Sequence, residues 1–137
     1  MDIKELIPQR APIMMVDKLL HAEAEEAVCQ LTVRPDNFFM DSDSLIAEPG
    51  IIEHIAQSAS AFAGFKAVAA GATQPPVGYI GEVKNCHIYS RPGIGDVITT
   101  TITMGPEVEG VTIIRGESRV DDKVIADTTM KIFVKEA

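Results

Sequence analysis

Residues 48–64 read Glu-Pro-Gly-Ile-Ile-Glu-His-Ile-Ala-Gln-Ser-Ala-Ser-Ala-Phe-Ala-Gly, and their reading decides the fold. Pro49 suits a first helical turn, where its missing N–H would have no partner anyway. Ile52, Ile55, Ala56, Ala59, Phe62 and Ala63 recur at helical spacing, and Gly71 suits a C-terminal stop. The spacing predicts a helix over residues 49–70. Its opposite side carries Ala, Ser and Gly, so the helix is covered nearly all round and other backbone can approach it closely. Glu53 stands in its first turns, with Gln57 one helical turn later. An acid among Ile, Ala and Phe costs free energy unless it is paired or used. Glu53 is therefore read as a buried acid near a helix N-terminus.

Outward from this helix the chain reads as strands. Residues 2–7 form a short helical turn stopped by Pro8. Residues 13–21 and 27–34 have apolar, β-branched or alternating patterns. Residues 38–47 are irregular around Asp41-Ser42-Asp43-Ser44, which reads as a solvated loop, and residues 72–76 form another loop. Four strands follow, over 77–90, 96–104, 110–120 and 123–135. Turn signals separate them at Arg91-Pro92-Gly93, Gly105-Pro106-Glu107 and Asp121-Asp122. One long helix on a mostly antiparallel sheet of about six strands is an α+β layer architecture. No repeat or linker divides residues 1–137, which read as a single domain.

Composition narrows the function. The net charge of −8 argues against a nucleic-acid partner, which needs a basic face. No apolar run approaches the roughly 20 residues needed to span a membrane, and the first residues do not resemble a signal peptide. The cytoplasm is the expected location. The two cysteines, Cys29 and Cys86, are expected to be free and buried. Three scattered histidines lack ligand spacing, so no metal is expected, and no glycine-rich phosphate loop or other cofactor motif is present.

Four motifs resemble the hotdog-fold 3-hydroxyacyl-acyl-carrier-protein dehydratases of the FabZ type. Residues 6–18, Leu-Ile-Pro-Gln-Arg-Ala-Pro-Ile-Met-Met-Val-Asp-Lys, resemble the family's opening L-P-H-R-x-P-x-L-L-V-D-R. Asn37-Phe38-Phe39 resembles N-x-P-F-F, and residues 49–57 resemble P-G-V-L-x-x-E-A-M-A-Q. Residues 90–96 resemble K-R-P-V-x-P-G-D. The family's catalytic His lies in a G-H-F-P-G loop after the Phe pair, but residues 40–48 contain no His, and Gln9 replaces the opening His. The turn between Pro49 and Glu53 is also two residues shorter than the FabZ pattern. That loop is closer to the dehydratase-like proteins of aryl-polyene and related pigment clusters.

The resemblance implies a hotdog fold, one long central helix wrapped by the sheet. It implies a dehydratase-like role in fatty-acid or polyene-type acyl synthesis, and a homodimer or higher homo-oligomer. The substrate would be a thioester of acyl carrier protein or coenzyme A. By the same resemblance Glu53 is the acid and the N–H near Gly50 polarises the thioester carbonyl, aided by the helix dipole. Gln57 orients Glu53 or lines the acyl tunnel. Dehydration needs an acid for the leaving hydroxyl and a base for the α-proton. Glu53 fills the first role if burial favours its protonated form. His54 is the nearest imidazole in sequence. It points about 100° away from Glu53, so it would serve only across a dimer interface and otherwise sits on the helix surface. His87 reads as packing or rim, and Asp17 as a structural hydrogen bond or ion pair. Lys66, Lys84 and Arg91 are candidates for docking an acidic carrier. Two other functions fit the same residues: an acyl-thioesterase in which Glu53 activates water, and a non-catalytic acyl-binding or partner subunit.

Overall fold

The computed structural model describes residues 2–74 and 76–135; Pro75, in the expected 72–76 loop, and the chain ends lie outside the described residues. A 3-10 turn, Ile3–Glu5, opens the fold, capped by Asp2, whose carboxylate accepts the Lys4 N–H at 3.0 Å. Then come β1 (Lys18–Ala22), β2 (Glu26–Thr32), α1 (Glu48–Ala69), β3 (Val77–Ile88), β4 (Val97–Val108), β5 (Val111–Val120) and β6 (Lys123–Lys135). The sheet has six strands in the order β1-β2-β4-β5-β6-β3, every neighbouring pair antiparallel. β3 follows the helix directly yet lies at the far edge, so the sheet curls around α1 from both sides.

Alternation along the strands selects the face that meets the helix. Ile98, Thr100 and Ile102 of β4, Ile114 of β5 and Met130 of β6 point inward and are buried. From α1, Ile51, Ile55 and Phe62 fill the space between. The close approach expected of the small helical residues occurs at Gly64, where an added Cβ would stand 1.9 Å from the Leu6 carbonyl oxygen.

The structure corrects three of the sequence expectations about elements. The first strand begins at Lys18 and not at Ile13. Residues 13–15 look strand-like, but their main-chain groups bond to helix side chains instead of a neighbouring strand, as described below. The strand expected to stop at Met104 continues to Val108. Pro106 sits where the β4–β5 register shifts, between Met104 and Glu107, and a bulge tolerates a residue with no N–H to donate. The turn falls instead at Glu109 and Gly110, both with positive φ, the geometry of a tight hairpin. Finally, both cysteines are free, but only Cys29 is buried; Cys86 is exposed on β3.

Candidate functional site

Glu53 leaves the second turn of α1 into a cavity of about 530 Å³ between the helix and the strands at the β3 end of the sheet. Ala56, Ser60, Ala63 and Ala67 continue the same helical face and form the cavity floor. Ile80, Met104 and Ile114 form the opposite wall. The result is an apolar trough with a carboxylate near one end and Lys66 near the other, roughly 20 Å along the helix axis. Glu53 is half-buried, not sealed in the core as its apolar neighbours in sequence implied. Its open side is the cavity.

Gln57 holds Glu53 in place. The Gln57 Nε2 donates to Glu53 Oε1 at 2.9 Å and to the Ile13 carbonyl at 2.8 Å, while its Oε1 accepts the Met15 N–H at 2.6 Å. Gln57 itself is almost fully buried and its amide makes all three bonds at once, so it has little freedom to turn. Of the two roles expected for Gln57, orienting Glu53 is the one its contacts describe.

His54 lies on another face of α1 and is fully buried, neither on the surface nor at an interface. Its Nδ1 is 2.6 Å from the Met15 carbonyl oxygen and its Nε2 is 2.7 Å from Thr100 Oγ1. The carbonyl only accepts, so Nδ1 carries the proton and Nε2 accepts from the Thr100 hydroxyl. Thr100 in turn is 2.6 Å from Ser118 Oγ. Burial holds the imidazole neutral, pulling its pKa down to about 4. Both nitrogens are engaged in the core, and His54 does not border the cavity of its own chain. His87 is 3.0 Å from Asp127 on the outer face and His21 is 3.1 Å from Glu23. None of the three histidines lines the cavity.

Gly50 is also placed differently from its expected role. Its N–H donates to the Ala47 carbonyl at 2.8 Å, closing the first turn of the helix, and is not free to polarise a substrate. An added Cβ would stand 2.5 Å from Phe39 Cβ, so this glycine lets the 38–39 segment pack on the helix start. The Asp41-Ser42-Asp43-Ser44 loop is solvated, with Ser42, Asp43 and Ser44 exposed, but it is anchored through Asp41. Asp41 accepts the N–H groups of Asp43 and Leu45 at 2.9 and 3.3 Å and forms an ion pair with Arg91. The Arg91 guanidinium holds the Asp41 carboxyl below the usual carboxylate range. Arg91 is therefore committed to the loop, and Lys84 pairs with Glu82 at 3.1 Å. Lys66 has no carboxylate partner among the described residues; its Nζ lies 4.6 Å from the centre of the Phe62 ring. Of the three candidate docking cations, Lys66 alone borders the cavity. Asp17 accepts the Thr32 N–H at 2.8 Å and pairs with Arg34 at 3.2 Å, the structural role its motif implied.

The sequence reading missed Gln9 as a cavity wall; it registered only that a histidine was absent there. Counting helical turns from Glu53 would have found the floor, because Ala56, Ser60, Ala63 and Ala67 share its face.

Comparison with known proteins gives a family match over the whole chain. A model described as ApeP-like, ApeP dehydratase, matches residues 1–137. The 3-hydroxyacyl-[acyl-carrier-protein] dehydratase FabZ of Cronobacter sakazakii is 31% identical over 136 residues, covering 94% of this chain and 87% of that protein. FabZ of Lactobacillus helveticus is 26% identical over 140 residues, covering 98% and 92%. Among solved structures, a chain of the dehydratase heterocomplex ApeI:P from Xenorhabdus doucetiae superposes with a TM-score of 0.92 at 16% identity, over 99% of this chain and 92% of that one. A hypothetical thioesterase from Streptococcus pneumoniae with coenzyme A gives 0.67 at 10% identity, over 87% and 85%. At these identities the structural likeness establishes the hotdog fold.

Proposed function

Because the chain belongs to the ApeP-like dehydratase family, we propose that it removes water from 3-hydroxyacyl thioesters during acyl-chain synthesis, with Glu53 moving both protons. The observation that carries this reading is Glu53 itself, held by Gln57 and facing an apolar cavity that no histidine borders. As a carboxylate, Glu53 takes the proton from C2. The C2–H electron pair forms the C2–C3 double bond as the C3–O bond breaks, and the same proton passes to the departing hydroxyl. Water and an enoyl thioester result, and the carboxylate is regenerated. The N-terminal dipole of α1, a turn away, stabilises negative charge developing on the thioester oxygen. The small-residue trough beyond Glu53 takes the acyl chain.

We place the reaction in the cytoplasm and the thioester on acyl carrier protein or coenzyme A. The working unit is a dimer joined through β3. This strand is an open edge whose Tyr79, Ile80 and Val83 are 56%, 40% and 37% exposed, and it forms one wall of the cavity. A second reading, a partner subunit that completes another dehydratase, is favoured by the absence of an imidazole from the cavity wall.

Incubating the purified protein with carrier-bound and coenzyme A-linked 3-hydroxyacyl thioesters, followed by mass spectrometry, tests the proposal. Loss of one water is expected. A free acid would mean thioester hydrolysis, and unchanged substrate would leave the partner-subunit reading.

A further inference from the structure

Residues 13–15 lie outside every strand, and three of their main-chain groups are paired by side chains of α1. The Gln57 amide meets the Ile13 carbonyl and the Met15 N–H, and His54 meets the Met15 carbonyl at 2.6 Å. The Met15 N–H can only donate, so it fixes which end of the amide it faces: Oε1 lies on Met15, and Nε2 is left for Ile13 and Glu53. The other side of the His54 ring is tied to the sheet. Its Nε2 accepts from Thr100 of β4, and Thr100 stands opposite Ser118 of β5 in the register and bonds to it. His54, Thr100 and Ser118 are all fully buried. The same two strands carry Met104 and Ile114, part of the cavity wall. Packing alone would be served by an apolar ring of similar size; what His54 adds is a donor for the Met15 carbonyl.

We propose that His54 is a positioning residue for Glu53: it holds Met15 against the helix, Met15 holds the Gln57 amide, and the amide holds the carboxylate. This rests on the reading of Glu53 as the reacting acid and adds what keeps that acid in place. Each link from Thr100 to Glu53 is between 2.6 and 2.9 Å long. The links also run one way. The Thr100 hydroxyl donates to His54 Nε2, Nδ1 donates to the Met15 carbonyl, the Met15 N–H donates to Gln57 Oε1, and Gln57 Nε2 donates to Glu53. Glu53 thus meets an N–H and never the amide oxygen. Without the Nδ1 donor the buried Met15 carbonyl loses its partner, the 13–15 segment shifts to find another, and the amide is free to turn. His54 touches no substrate in this scheme; it sets where the carboxylate stands relative to β4 and β5. A carboxylate out of place moves a proton slowly while the cavity still takes the thioester, so the effect falls on kcat and not on KM.

Two variants and two readouts test this. His54→Leu removes the donor, whereas His54→Asn keeps an N–H where Nδ1 stands and loses the rest of the ring. Both should lower the melting temperature, since both disturb a packed core. In amide NMR spectra the Gln57 side-chain signal, assigned through its own carbons, should exchange slowly in the unaltered protein and in His54→Asn, and rapidly in His54→Leu. With 3-hydroxyoctanoyl-coenzyme A, His54→Leu should lower kcat about tenfold and leave KM within about twofold, and His54→Asn should recover most of that loss. An unchanged Gln57 signal in His54→Leu, or kcat losses that simply follow the melting temperatures of the two variants, would overturn the proposal. If neither variant folds, the unaltered protein still decides: its imidazole nitrogen shifts must place the His54 proton on Nδ1 and leave Nε2 bare, and a proton on Nε2 alone refutes it. The Gln57 signal does not depend on turnover. A Gln57 amide that loosens in His54→Leu, in a protein that releases no water from any thioester, would sink the dehydratase reading and leave the positioning of Glu53 standing.

Discussion

Gln57 donates to Glu53 Oε1 at 2.9 Å with the same nitrogen that reaches the Ile13 carbonyl at 2.8 Å. One amide thus ties the candidate catalytic carboxylate to the segment before β1. Position of the acid and integrity of the fold depend on the same side chain. Gln57→Leu should leave the buried Met15 N–H unpaired, together with the part-buried Ile13 carbonyl, and destabilise the protein by about 1–3 kcal/mol. Urea unfolding would check this; a loss below about 0.5 kcal/mol would mean that the segment finds other partners.

Glu53→Gln separates chemistry from stability. The side chain is half-buried and keeps its size, so the melting temperature should change little. Turnover should fall at least about a hundredfold, because the only group assigned to proton transfer is gone. Retained turnover would remove Glu53 from the mechanism.

His54 makes stability depend on pH. Its folded pKa of about 4 lies below the unfolded value near 6.5. Between those values the unfolded chain binds the proton and the folded one does not, so stability falls as pH drops through this window and is unaffected above it. The full loss is on the order of 3 kcal/mol. Denaturant midpoints measured at pH 7 and pH 4.5 should differ accordingly, and His54→Gln should flatten the profile. An unchanged slope in the variant would assign the acid sensitivity to other groups.

Gly64→Ala should destabilise by about 2 kcal/mol, because its methyl would meet the Leu6 carbonyl oxygen at 1.9 Å, forcing backbone to move. Thermal unfolding reads this directly. A neutral result would show that the N-terminal segment shifts without penalty.

Lys66→Glu should raise KM for carrier-bound substrate and spare small thioesters, since Lys66 alone of the three candidate docking cations borders the cavity and has no carboxylate partner among the described residues. Equal effects on both substrates would refute docking at this residue.

The helix was legible because its signals are local: Pro49 at the start, small and apolar residues at turn spacing, Gly71 beyond the end. The pairing of Glu53 with Gln57 was legible for the same reason, since four residues apart means one turn. What escaped the sequence involves partners distant along the chain. Residues 13–15 carry strand-forming side chains, and no local pattern reveals that their main-chain groups bond to Gln57 and His54. The histidine itself points away from Glu53, as helical geometry requires. Its burial depends on Thr100 and Ser118, on two strands that lie beyond the helix in sequence. Arg91 looked like a free cation because Asp41, fifty residues away, folds back to meet it.

The two thiols are chemically opposite. Cys29 is buried, and burial pushes its pKa up to about 12, which leaves almost no thiolate to react. Cys86 stands exposed on the open edge strand. The unaltered protein thus contains a fast-labelling position and a slow one. A thiol reagent would mark the β3 edge first, and a partner strand laid along that edge would delay the first label. The second label would be taken up only as fast as the core opens. One labelling time course would record both association at the edge and opening of the interior, without a probe having to be introduced.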